Sequence, residues 1–359
     1  MKGVYIHIPF CNSICSYCDF CKFLYKEEWA NDYLDALKDE INEYYENDVV
    51  KSIYIGGGTP SSLDLKYIKK LFEILSVFKL TDAAEVTFEC NVNDINVELL
   101  FMLKSYGVNR LSIGVESFDK YNLKFLNRKH EKNEIFDKIE QAKEYFDNIN
   151  VDLIYALPIE SMFVLMKDIS QLLKLDVDHI STYSLIIEEH TALFNKGIKP
   201  IDQDIDYKMY KYICKKLKRH GYTHYEVSNF ARNNKMSAHN LIYWNNQEYY
   251  GFGLGAHGYL NNMRYENTRN LNKYLEGDYR FNELLVSIQE EMENEVILGL
   301  RKLKGINIDA FEMKYNRSIF DVFKFDEAIK KGLIINKDGY LSISEDKIYV
   351  MNEIINMII

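Results

Sequence analysis

The feature that most limits what this chain can become is an alternation running from its start to about Glu189. Short β-rich runs (Val4–Ile8, Ser52–Ile55, Glu85–Glu89, Arg110–Gly114, Val151–Tyr155 and His179–Leu185) alternate with amphipathic stretches such as Glu28–Tyr45, Leu65–Phe78, Val97–Tyr106 and Glu131–Phe146. Parallel strands need long crossovers, usually helical and right-handed, so this order predicts an α/β chain with a parallel sheet covered on both faces. Six units fall short of the eight of a closed barrel. The expected shape is an open, partial (β/α)6 TIM-like barrel over residues 1–200, whose strands point their carboxyl ends at one mouth.

Residues 201–283 read as an auxiliary segment: a helix over Tyr207–His220, then Gly- and aromatic-rich loops. Residues 284–359 read as a compact helical module ending in a hairpin. There Leu333–Ile335 and Tyr340–Ile343 flank Asp338-Gly339, a strong turn signal. Helices with a two-stranded wing suggest a winged-helix-like domain. The net charge of −10 argues against a nucleic-acid partner and favours a cover or docking role. No apolar run nears the roughly 20 residues of a membrane span, so no transmembrane segment is expected. Four of the six cysteines crowd between Cys11 and Cys21, which fits a reducing, cytoplasmic setting with thiols free for metal.

Those cysteines carry the chemistry. Cys11, Cys15 and Cys18 follow the first strand at C-x3-C-x2-C spacing, with Pro9 ending the strand. Three soft thiolates on a short loop suit a polynuclear iron centre, and an odd count leaves one iron open for a non-protein ligand. A structural zinc site usually takes four ligands as two separated pairs, and no second pair occurs downstream. Gly56-Gly57-Gly58-Thr59-Pro60 follows the second strand, and glycines let backbone polar groups approach a small ligand.

The cysteine motif, with Tyr17 just before its last member, resembles the signature of the radical S-adenosylmethionine (SAM) superfamily. The resemblance implies a [4Fe-4S] cluster on Cys11, Cys15 and Cys18, with SAM on the open iron. It implies SAM contacts from Tyr5, Tyr17, Gly57, Gly58, Thr59 and Glu89. It adds Glu116, Arg128 and Asp152, which match a Gln, Arg and Asp set that holds a second SAM in the oxygen-independent coproporphyrinogen III dehydrogenases. Here Glu stands in place of Gln, which sets a second SAM aside because a carboxylate lacks the amide donor. The usual GLPxQT string is also altered, to Ala156-Leu157-Pro158-Ile159-Glu160-Ser161.

Downstream, His239-Asn240-Leu241-Ile242-Tyr243-Trp244 and Gly251-Phe252-Gly253-Leu254-Gly255-Ala256-His257 resemble motifs of the HemW-type haem chaperones. Imidazole or phenolate can ligate haem iron, which makes His239 and Tyr243 the expected haem contacts. Two features separate this branch from the dehydrogenase, whose fourth cysteine lies two places after the third and whose cluster loop follows a sizeable extension. Here that place is Phe20, and ten residues precede Cys11. The expected partners are haem, a haem-accepting protein and, if SAM is cleaved, an electron donor. The alternative is radical decarboxylation of coproporphyrinogen III in haem biosynthesis. Cys21 has no place in either scheme.

Overall fold

A computed structural model describes residues 1–359. Six parallel strands form its centre: β1 (Lys2–Ile8), β2 (Val49–Gly57), β3 (Lys79–Asn91), β4 (Arg110–Glu116), β5 (Ile149–Tyr155) and β6 (His179–Ser184). Each lies over a run expected from the sequence; β1 to β5 are extended at one or both ends, and β6 stops one residue short of the expected Leu185. Helices Glu27–Tyr44, Leu65–Leu75, Val97–Ser105 and Lys132–Lys143 occupy the expected crossovers, joined by Lys120–Leu126 and Met162–Leu172. Three of these helices are capped by short polar side chains, Asn96, Asp119 and Ser161, each accepting from backbone N–H groups of the first turn.

The 201–283 stretch is woven into the same sheet. It supplies β7 (Thr223–Glu226), β8 (Asn229–Ala231), β9 (Tyr249–Phe252), β10 (His257–Leu260), β11 (Met263–Asn267) and β12 (Arg280–Leu285). The spatial order is β12-β11-β10-β9-β1-β2-β3-β4-β5-β6-β8-β7, an open sheet. Only β9 of the added strands runs parallel to its barrel neighbour, β1; β10 to β12 continue as an antiparallel meander. The buried carboxylate of Glu40 fastens this extension. It accepts from Gly253 N at 2.8 Å, Asn267 Nδ2 at 2.6 Å and the Tyr274 hydroxyl at 2.6 Å. A buried acid is tolerated where donors converge on it in this way.

The two faces of the sheet differ in chemistry. On β1 the side chains of Val4, Ile6 and Ile8 are fully buried in the apolar core, where helix Glu27–Tyr44 adds Tyr33, Leu34 and Leu37. Gly3, Tyr5 and His7 point the other way, together with Ser52, Tyr54 and Gly56 of β2 and Glu85 and Glu89 of β3, since side chains alternate along a strand. The concave face is therefore polar. The carboxyl-terminal module carries helices Ile288–Gly299, Ile308–Tyr315 and Met351–Ile358 beside a three-stranded sheet, in which Ile306–Asn307 pairs with the 340–343 arm of the expected hairpin.

Candidate functional site

The cysteine loop is closed at its base by a two-residue parallel ladder between Phe10–Cys11 and Phe23–Leu24, backed by Phe23 N donating to Pro9 O and Tyr25 N to Cys11 O. The glycine turn seats it from the side: Gly58 N donates to Ile8 O and Thr59 N to Phe10 O, each at 2.8 Å. A Cβ on Gly58 would stand 2.8 Å from Phe10 O and 2.9 Å from Ile8 O, so only glycine lets this backbone pass. The amides of Gly58 and Thr59 thus anchor the loop. The Thr59 carbonyl in turn accepts from Ser62 N at 2.9 Å, so the Gly57 and Gly58 carbonyls are the ones left for a ligand.

Between these anchors the three thiols share one side of the mouth. Thr59 Oγ1 lies 3.5 Å from Cys11 Sγ, and Arg128 Nη1 lies 3.5 Å from Cys15 Sγ. Lys22 Nζ donates to the Cys18 carbonyl. Burial pushes the Cys11 thiol up and the Cys18 thiol to about 11; nearby thiols add to the rise, while Lys22 opposes it for both. All six cysteines are free thiols. The donor set fits a cluster, in which each thiolate takes its own iron corner and cations balance the accumulated charge.

Across the mouth stand the acids. Glu89 accepts from the Tyr54 hydroxyl at 2.7 Å and from Gly57 N at 3.1 Å. Burial raises its pKa to about 7, and the charge of Asp152 adds to that. Glu116 lies on β4 at a register shift and holds φ +68°, a left-handed conformation rare for a residue with a side chain. Burial lifts it to about 7 as well, partly offset by Arg128 and the Tyr17 hydroxyl. Its Oε1 lies 4.0 Å from Arg128 Nη1. Asp152, raised by burial, accepts from Asn150 Nδ2 at 2.8 Å and Ser112 Oγ at 3.3 Å. Tyr5 donates or accepts at His7 Nδ1 (3.0 Å), and His7 Nε2 meets the Cys21 carbonyl at 2.7 Å, which fixes the trailing end of the loop.

The fold brings the cysteines, Tyr5, Tyr17, Gly57, Gly58, Thr59, Glu89, Glu116, Arg128 and Asp152 to this one end of the sheet. His239 lies elsewhere. Its helix, Ala238–Trp244, closes the opposite end, where Ala238 N and His239 N cap Glu85 at 3.0 and 3.1 Å. The ring is buried at 1% exposure, with Nδ1 2.9 Å from Ser52 Oγ and Nε2 2.8 Å from the Tyr243 hydroxyl. Burial depresses its pKa to about 3. Both ring nitrogens are occupied, so iron ligation by His239 would require breaking the plug that the helix forms. Glu160 of the altered ALPIES string accepts from Leu157 N and Asn122 Nδ2 and braces its own turn. Tyr54, Asn91 (Nδ2 at 3.2 Å from Thr59 Oγ1) and Lys22 belong to the site although sequence reasoning passed over them. Strand alternation from Gly56 and Glu89 points inward to the first two.

A second space opens at the far end of the loop. A cavity of about 480 Å³ lies over the concave face of β1, β10 and β11, walled by Tyr243, Trp244, Tyr249 and Tyr259. Phe20 and Cys21 reach it from the loop. No helix in the chain is long and apolar enough to cross a membrane.

A strand-borne three-cysteine loop facing buried acids on a partial parallel barrel defines a radical SAM protein, and the superfamily pattern matches residues 5–172. The pattern of the HemN C-terminal domain matches residues 286–346. The chain is 38% identical to the haem chaperone HemW of Bacillus subtilis, covering 99% of this chain and 98% of that one. It is 38% identical to HemW of Lactococcus lactis, over 93% and 91% of the two chains. Among solved structures, coproporphyrinogen III oxidase (HemN) from Escherichia coli superposes with a TM-score of 0.87 at 22% identity, over 99% of this chain and 89% of that one. The chain belongs to the HemW family of radical SAM proteins.

Proposed function

We infer that this protein is a haem chaperone: it takes up haem and passes it to an acceptor protein, with a [4Fe-4S] cluster and SAM bound at the barrel mouth. The observation that carries this reading is the near full-length identity to HemW, together with a mouth that separates a charged cofactor station from an aromatic cargo space. Cys11, Cys15 and Cys18 hold the cluster, while Lys22 and Arg128 offset its charge. Glu89, fixed by Tyr54 and Gly57, takes the ammonium of SAM; the carbonyls of the glycine turn assist. Tyr5 and Tyr17 flank the site and keep water out. Glu116 and Arg128 neutralise one another beside Asp152, which leaves room for one SAM. When bound, the cluster and SAM supply one-electron chemistry that no side chain can. An electron donor is needed only if that chemistry runs. The net charge of −10 argues against nonspecific binding to nucleic acid, and the free thiols suit the cytoplasm.

The test loads the anaerobically reconstituted protein with haemin and mixes it with an apo-haemoprotein. Transfer of the Soret band to the acceptor is expected. In parallel, coproporphyrinogen III is incubated with protein, SAM and reductant. Protoporphyrinogen formed at a useful rate would replace this reading by the decarboxylase.

A further inference from the structure

We propose that haem seats in the aromatic cavity beside the cysteine loop, with its iron on His257 and its carboxylates on Arg264 and Arg269. This rests on the haem reading above and gives that cargo a place, one that differs from His239. The cavity volume of about 480 Å³ lies in the range of small-molecule and cofactor sites, and its wall of tyrosines and a tryptophan suits a flat macrocycle.

Three histidines lie on the concave face, His7 and His257 at this cavity and His239 beyond it, and only one is available. His7 has both ring nitrogens engaged, by the Tyr5 hydroxyl and the Cys21 carbonyl. His239 is engaged by Ser52 and Tyr243. His257 lines the cavity with its side chain 65% exposed. Its one polar neighbour is Glu266, the residue directly across the β10–β11 ladder, with Oε1 3.7 Å from Nε2. A carboxylate behind one imidazole nitrogen is the usual device for orienting the ring and raising the basicity of the other nitrogen toward a metal. Nδ1 of His257 is the atom left for iron.

The same register puts Arg264 opposite Tyr259, two positions along from the His257–Glu266 pair and on the same face. Its guanidinium lies 4.8 Å from the Tyr259 ring centroid. Arg269 is held by the Asp19 carbonyl at 2.7 Å and lines the cavity's edge next to Cys21. Neither guanidinium has an acidic partner within 4.0 Å, although acids outnumber bases along the chain. Two guanidiniums without acidic partners at the rim of an aromatic slot, Arg264 bonded to neutral Asn246 at 3.5 Å, form a receptor for the two propionate carboxylates, since arginine pairs with carboxylates through two parallel hydrogen bonds. Gly255, at φ +69°, lets Cys21 and Arg269 close over this rim: a Cβ there would lie 2.9 Å from Cys21 Cβ. The Cys21 thiol packs toward the Arg269 carbonyl at 3.9 Å.

Haemin titration into the full-length, cluster-loaded protein tests this by its Soret band, with melting temperature and iron content as folding controls. His257→Ala is expected to weaken haemin at least tenfold and abolish the histidine-ligated spectrum, which added imidazole restores. His239→Ala is expected to keep that spectrum if it folds. Wild type is expected to prefer haemin over its dimethyl ester, and Arg264→Gln with Arg269→Gln to lose the preference. An unchanged spectrum in His257→Ala, or loss of haem in Cys21→Ser alone, overturns the assignment. No saturable shift in the wild type fails the haem reading itself and is thereby distinguished from failure of this site.

Discussion

Replacing Gly56 by alanine isolates the role of Glu89 without touching a charged group. A Cβ at Gly56 would lie 2.7, 2.8 and 2.9 Å from the carboxyl carbon and two oxygens of Glu89. Gly56 has an ordinary backbone conformation, so the effect is one of space alone. The methyl must push the carboxylate away from Tyr54 and from Gly57 N, its two donors. Overpacking of this kind costs about 1–3 kcal/mol of stability. A hydrogen bond to a charged group contributes about 1.5–3 kcal/mol. If Glu89 holds the SAM ammonium, losing that contact weakens SAM by about tenfold to a hundredfold, at 1.4 kcal/mol per decade. The cysteine loop is fastened by Gly58 and Thr59 instead, so iron and sulfide content should stay at the wild-type level. Calorimetric titration of SAM into the reconstituted variant measures the loss. Wild-type affinity in a variant whose melting point has fallen would refute the placement of Glu89 against SAM.

Other perturbations separate the remaining parts of the site. Gly58→Ala drives a methyl into the Ile8 and Phe10 carbonyls, which cannot swing aside, so the variant should retain less than half the iron of wild type on reconstitution; full iron content would show that the loop tolerates the shift. His239→Ala removes a ring bonded to Ser52 and Tyr243 and should lower stability by about 2–4 kcal/mol in denaturant unfolding; no change would mean the helix plug is not held there. Burial raises Glu160 to about 8 and Glu226 to about 7, and a raised carboxyl contributes its full stability below pH 4.5 and loses it as pH climbs through the folded value. The buried histidines His7, His130, His179, His224 and His239, with lowered pKa values, bind protons only in the unfolded state, so below about pH 7 they make stability rise with pH and oppose this; above about pH 7 they no longer change charge in either state. Unfolding free energy should therefore fall by about 1–3 kcal/mol between pH 7 and pH 9, and a flat or rising profile over that window would contradict the burial of these acids.

How much of this could be read from the sequence depends on the range of the interaction. The six barrel strands and the loop of Cys11, Cys15 and Cys18 are local: alternation and spacing lie within a few residues. Glu89 and Asp152 were expected here because parallel strands direct their residues to one mouth, whereas Arg128, which follows helix Lys120–Leu126, was expected only through the family resemblance. The strands of residues 201–283 escaped notice because their partners are remote; β9 pairs with β1, nearly 250 positions earlier, and nothing in Tyr249–Phe252 announces that neighbour. The surroundings of His239 depend on range in the same way. A histidine beside Tyr243 and Trp244 reads as a ligand, and only the fold brings Ser52 to its second nitrogen. His257 was visible as the end of a glycine motif, but its pairing with Glu266 needed the β10–β11 register.

The account rests on three thiols meeting one iron cluster, and iron with acid-labile sulfide per chain after anaerobic reconstitution tests that most directly. About four of each are expected in the wild type, with cluster lost in the variant carrying alanine at Cys11, Cys15 and Cys18. A preparation that retains one zinc and no sulfide, or that keeps its iron in the triple variant, would contradict it.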